Sequence, residues 1–228
     1  MKSITIIIAA MLMGFASEIH AQSRLTPASA MSAKYKIKYR YYINKLLHQN
    51  DADFYYFAFE IRPSFHGESF CFYNIQNEEV VYRIAQRSIY YTNSNMINNN
   101  DSDKKKKKEI FPNSNNIEVT EYRCPLSKDI AKHFKQLFEA ATISSSVLAK
   151  RFGCDGIMYQ IYSGNLWSAE CFSPDERTNC GKLVQILEKI TEYTKENKPK
   201  EIEKMIPEVD ELCKTFEALY PKDLVNEK

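Results

Sequence analysis

Apolar and polar positions alternate through much of the first half of the chain. Tyr35, Ile37, Tyr39 and Tyr41 are interleaved with Lys36, Lys38 and Arg40. A period of two predicts a half-buried strand over residues 35–41, turning helix-like over 43–48. Residues 54–61 are rich in aromatics and stop before Pro63, which predicts a second strand. Residues 69–75 and 79–85 are further strand candidates, joined through Gln76-Asn77-Glu78, and 88–92 is another. Residues 117–123 alternate again, and Cys124-Pro125 closes that strand.

The period then changes. Leu126, Ile130, Phe134, Leu137, Phe138 and Ala141 recur at helical spacing, with Ser127 placed as N-cap and Asp129 in the first turn. His133 lies on the flank of that stripe, which predicts a partly buried, hydrogen-bonded histidine. Residues 157–163 and 166–172 read as a hairpin around Gly164-Asn165, a favoured two-residue turn. Paired residue numbers would then sum to 329, so that Cys171 faces Met158. Leu183, Ile186, Leu187, Ile190 and Tyr193 form one helical stripe over 181–195, which Pro199 ends. Ile202, Met205, Ile206, Val209, Leu212, Cys213, Phe216 and Leu219 form another, with Pro207 kinking it or starting a new segment. Strands first and helices later predict an α+β fold. The expected form is a largely antiparallel sheet with one central helix and two C-terminal amphipathic helices.

Two segments stand apart from these periods. Residues 93–116 are dominated by Asn, Ser, Asp and the run Lys104 to Lys108, and are too polar to offset their ordering entropy. They are expected to form a disordered surface loop; Asp101, Asp103 and Glu109 offset the five lysines to a local charge of +2. At the N-terminus, Lys2 precedes an apolar run over 4–16 and the small residue Ala21. That is the plan of a secretory signal peptide, too short to span a bilayer of about 30 Å. The expected organisation is a signal peptide over 1–21, a flexible lead-in over 22–33, and one α+β domain over 34–228. The mature chain would be periplasmic or secreted, without a transmembrane anchor.

Charge and cysteine content narrow the chemistry. A net charge of +2 over 228 residues lacks the concentrated basic face that nucleic acid requires. Six cysteines in an exported chain permit disulfides, and none shows CxxC spacing. Under the 329 register, Cys154 and Cys171 lie about four strand residues apart, roughly 13 Å, too far to bridge. Cys154–Cys180 is the expected pair, through the loop at Pro174. No standard metal-ligand or cofactor-binding pattern occurs, so no metal and no cofactor are expected. The candidate catalytic groups are His66 and Glu68 on a turn between strands, with Cys171 or Cys71 as nucleophile. Tyr55, Tyr159 and Trp167 are the candidate binding aromatics, because tyrosine and tryptophan pair a large apolar face with a polar tip.

Arg151, Asp155-Gly156, Tyr159, Phe172-Ser173-Pro174 and the amphipathic helix from Lys182 resemble the C-terminal pattern of small exported proteins of unknown function from Gram-negative anaerobes. The resemblance spans roughly residues 117–196, including the Ser127 helix and Ala140-Ala141-Thr142 at its end. It implies an α+β envelope protein and brings no catalytic residue with it. The expected function is an exported, non-enzymatic binding or interaction protein whose partner is another envelope or secreted protein, or a glycan. The alternatives are a hydrolase acting on an envelope or extracellular polymer, and a carbohydrate-binding protein.

Overall fold

Alternation along successive strands builds one sheet with two dissimilar faces. The structure, a computed structural model, describes residues 24–28, 34–49, 56–90, 117–147, 155–164 and 167–220. Its strands are β1 (Thr26–Pro27), β2 (Ala58–Pro63), β3 (Ser69–Asn74), β4 (Glu79–Ala85), β5 (Val119–Pro125), β6 (Ile157–Ser163) and β7 (Trp167–Phe172). They form a seven-stranded sheet in the order β1-β7-β6-β2-β3-β4-β5, antiparallel at every pairing. The α+β class with a largely antiparallel sheet and C-terminal helices is therefore observed.

Two helical layers cover the sheet. On one face lie α2 (Lys128–Ile143), α3 (Asn179–Lys195), α4 (Pro199–Lys204) and α5 (Ile206–Glu217). Phe57, Phe59, Cys71, Tyr73, Val80, Tyr82, Tyr159 and Ile161 of the sheet meet Phe134, Leu137 and Phe138 of α2 and the apolar stripes of α3 and α5 there. Ser127 caps α2, its hydroxyl accepting from the Ile130 N–H, and Thr178 caps α3 through the Gly181 N–H. Pro207 opens α5 as a separate segment, where its missing N–H costs no helical bond. His133 is partly buried and bonded to Asp210 of α5 at 2.7 Å, as its place on the flank of the stripe predicts.

The other face is covered by a helix that the alternation concealed. Residues 35–41 are not a strand: α1 (Lys34–Ile43) runs through them and continues as a turn of π-helix, Asn44–His48. Tyr42 and Ile43 are both buried while Tyr41 is 61% exposed. Tyr39, Tyr42, Ile43, Leu46 and Leu47 also recur at helical spacing, and docking on Phe70, Phe72, Val81 and Ala85 settles which period applies.

Three other expectations are corrected. Ile89 and Tyr90 of the 88–92 candidate are helical, because Glu68 accepts both of their amide N–H groups (2.6 and 3.0 Å) and fixes the first turn. The hairpin register sums to 330, with Met158 opposite Phe172 and Tyr159 opposite Cys171. The paired strands end at Ser163 and Trp167, and Gly164 leaves β6 at φ +60°. The lead-in over 22–33 contributes β1, which pairs with β7, and Leu25, which is buried in the core. An apolar side chain next to a pairing-competent dipeptide gives that stretch enough burial to join the sheet.

The expected signal peptide (1–21) and the Asn/Lys-rich stretch 93–116 lie outside the described residues. Cys154 does too, and with it the Cys154–Cys180 pair; Cys71, Cys124, Cys171, Cys180 and Cys213 are free thiols. No helix among the described residues is long and apolar enough to cross a membrane.

Candidate functional site

The most concentrated polar chemistry lies between β2 and α1. Strand β2 reads Ala58-Phe59-Glu60-Ile61-Arg62, so the residues between its aromatic and aliphatic positions all point toward α1. Glu60 is fully buried there. Its Oε1 accepts from Arg40 Nη1 at 2.7 Å, His48 Nε2 at 2.8 Å and the Tyr162 hydroxyl at 2.5 Å. Its Oε2 accepts from Arg40 Nη1 at 2.9 Å and lies 2.9 Å from Arg62 Nε. Arg40 Nη2 also donates to the Tyr162 hydroxyl, and the His48 ring stacks on Phe70 at 3.9 Å.

Opposing forces set the charge of Glu60. Burial alone would push its carboxyl up, but Arg62, the His48 hydrogen bond and Arg40 outweigh that and hold it far below the usual carboxylate range. Tyr162 moves the other way, because burial and the Glu60 charge both disfavour a phenolate. Glu60 is therefore a fixed anion at neutral pH and Tyr162 a fixed donor. Arg83, two strands over on β4, donates to the carbonyls of Leu47 and His48 and pairs with Glu121 at 2.6 Å. It thereby satisfies carbonyls at the end of the π-turn that the helix leaves without partners.

Glu68 forms a second node. Its carboxylate accepts from the Ile89 and Tyr90 amides, the Ser88 hydroxyl and the Tyr39 hydroxyl. Burial raises its pKa and the backbone N–H groups pull it back. Gly67 permits the approach, since a Cβ there would stand 1.7 Å from the Ala85 carbonyl oxygen.

The sequence-derived candidates are scattered. His66 is exposed on the β2–β3 link, whereas Glu68 is buried under α1. Cys171 packs on the opposite, α2/α3 side of the sheet, and burial pushes its thiol well above the ordinary value. Cys71 is fully buried and shifted the same way. Tyr159 is buried with its hydroxyl donating to Glu188 of α3 at 2.7 Å. The Trp167 backbone pairs with Ser163, and Tyr55 lies outside the described residues. Arg40, His48, Glu60, Arg62 and Tyr162, which do converge, were not singled out. The available signal was the charge pair Glu60 and Arg62 at i, i+2 on one face of an otherwise aromatic strand.

No group of three or more His, Cys, Asp or Glu side chains among the described residues is arranged to hold a metal ion. Comparison of the chain with protein-family models, with curated proteins and with solved structures gives no match.

Proposed function

We propose that this chain is an exported, non-enzymatic binding or interaction protein of the cell envelope, related to the small exported proteins its C-terminal half resembles. The carrying observation is a contrast within one molecule. Glu60 and Glu68 are engaged inside the fold, while large apolar side chains, Tyr41 at 61% and Phe65 at 60%, stand at the surface. Exposed aromatic side chains suit contact with a second protein, because each offers much area for little conformational entropy. The thiols support the same reading, since burial keeps Cys71 and Cys171 protonated and so weakly nucleophilic. A hydrolase built on Glu68 and Cys171 would need the two on one side of the sheet.

The test is crosslinking in intact cells, purification of the tagged protein and mass spectrometry. The expected result is one envelope or secreted partner in near-equal amount, lost when Tyr41→Ala and Phe65→Ala are combined. Recovery of no protein above background, with turnover of a polymer substrate by the purified chain, would overturn the reading.

A further inference from the structure

The sheet ends differently at its two edges. One edge is β1, two residues long; the other is β5, seven residues that all pair with β4. The bonds flanking that pairing fix which way the β5 backbone points. The Gln86 N–H donates to the Glu118 carbonyl, and the Leu126 N–H to the Glu78 carbonyl. Hydrogen-bonded pairs alternate along an antiparallel ladder, so Thr120, Tyr122 and Cys124 turn their N–H and C=O groups toward β4. Val119, Glu121 and Arg123 turn theirs outward, and no hydrogen bond reaches those groups among the described residues. Pro125 adds an outward carbonyl without an N–H, met by the Cys124 thiol at 3.8 Å.

The side chains of this edge are self-complementary. Glu121 and Arg123 are exposed and opposite in charge, at i and i+2 on the α1 side of the sheet. Tyr122 between them is half-buried on the other side, stacked on Tyr82 with ring centroids 6.1 Å apart. A second β5, antiparallel about a two-fold axis at Tyr122, sets each Glu121 opposite the other copy's Arg123. Both residues point outward, so they exchange both ladder bonds, and each Val119 N–H faces a Pro125 carbonyl. Tyr122 then meets Tyr122 in a non-hydrogen-bonded pair, where side chains approach most closely. An axis at Glu121 or at Arg123 would instead oppose like charges. Edge strands commonly use charge to turn a second strand away; here the charges cancel in one register.

We propose that β5 is the interface between two copies of this chain, joined edge to edge in that register so that the two sheets run on as one. An isologous contact fits, because one strand supplies both of its halves. The interface uses neither Tyr41 nor Phe65, so it goes beyond the interaction reading without resting on it.

The experiment is sedimentation velocity of the purified full chain over a series of concentrations. A reversible monomer–dimer equilibrium is expected. Arg123→Pro removes an outward N–H, leaves the bonds to β4 in place, and should leave only monomer. Arg123→Glu opposes like charges and should weaken the dimer about tenfold or more. Combined Tyr41→Ala and Phe65→Ala should leave it unchanged, which separates this dimer from the envelope partner. Tyr122→Cys should crosslink to its own copy on air oxidation, because directly opposed Cα atoms there lie about 4.5 Å apart, within disulfide range. If Arg123→Pro fails to fold, Arg123→Glu and the Tyr122→Cys crosslink decide the matter. Monomer at every concentration, a dimer that neither Arg123 variant weakens, or no crosslink beyond that of wild type would each overturn the proposal.

Discussion

The two faces of the sheet are held by different physics. The face under α2, α3 and α5 is closed by aromatic and aliphatic packing, with Phe57 in ring contact with Phe134 and Phe138, and Phe59 with Phe138. That attraction is strong but non-directional, and it tolerates small shifts. The face under α1 mixes apolar contacts with Glu60, Arg62 and Arg83, all buried or nearly so. Ionic hydrogen bonds there have fixed lengths and angles, so α1 can sit in only one rotation and register. Packing closes the first face; directional bonds position the second.

Substitutions at the centre of each face give the largest expected effects. Glu60→Ala leaves the buried Arg62 and the half-buried Arg40 without their counter-charge and should cost about 3–5 kcal/mol in urea unfolding. Phe138→Ala opens a void on the other face and should cost a similar amount, about 3–5 kcal/mol. The faces then separate by rescue. Adding Arg62→Met and Arg40→Met to Glu60→Ala should recover part of the loss, whereas no change of charge restores Phe138→Ala. A Glu60→Ala cost below about 1 kcal/mol would break the comparison.

Acid should act on one face selectively. The folded pKa of Glu60 lies below its unfolded value, so the unfolded state binds the extra proton as pH falls. Its stabilisation is complete above the unfolded value of about 4.3 and drains away as pH drops toward the folded value. Glu68, whose pKa is raised, works in the opposite direction. The expected net result is acid unfolding that Glu60→Gln makes less steep, checked by stability curves from pH 6 down to pH 2; unchanged steepness would remove Glu60 from the account.

Smaller effects sharpen the contrast. Tyr162→Phe removes one bond to Glu60 and leaves the ring in place, with an expected cost of about 1–3 kcal/mol by denaturant unfolding. His133→Ala breaks a half-exposed pair with Asp210 on the packed side, and should change stability by no more than about 1 kcal/mol. A larger loss would mean that α2 and α5 also rely on directional bonding.

Where one period was unambiguous and a cap was present, the chain could be read directly. Strand β4 and the Ser127 start of α2 are such cases. Helix α1 was misread because Tyr35, Ile37, Tyr39 and Tyr41 alternate while Tyr39, Tyr42 and Ile43 keep helical spacing, and only the partner surface selects one period. The hairpin slipped by one residue because Gly-Asn fits a two-residue turn, while the paired strands stop at Ser163 and Trp167. The Glu60 site was hidden for a different reason. Its partners Arg40, His48 and Tyr162 lie 20, 12 and 102 residues away along the chain, and no local pattern encodes that meeting. Only the Glu60/Arg62 alternation was visible.

The strand order has a kinetic consequence. Strands β2 to β5 follow one another as a meander and β6–β7 is a local hairpin, so most pairings join chain neighbours. The exceptions are the pairing of β1 with β7 and the seam where β2 meets β6, with Ala58 opposite Tyr162 and Glu60 opposite Gln160. Closing a loop of about a hundred residues at this seam is entropically slow compared with the hairpin pairings. Lengthening the β4–β5 connection further would add little to that barrier, since closure entropy grows only logarithmically. Arg40, Glu60 and Tyr162 straddle this seam, so the side chains that fix α1 also fasten a long-range pairing of the sheet. Changes at that line should therefore slow folding as well as lower stability.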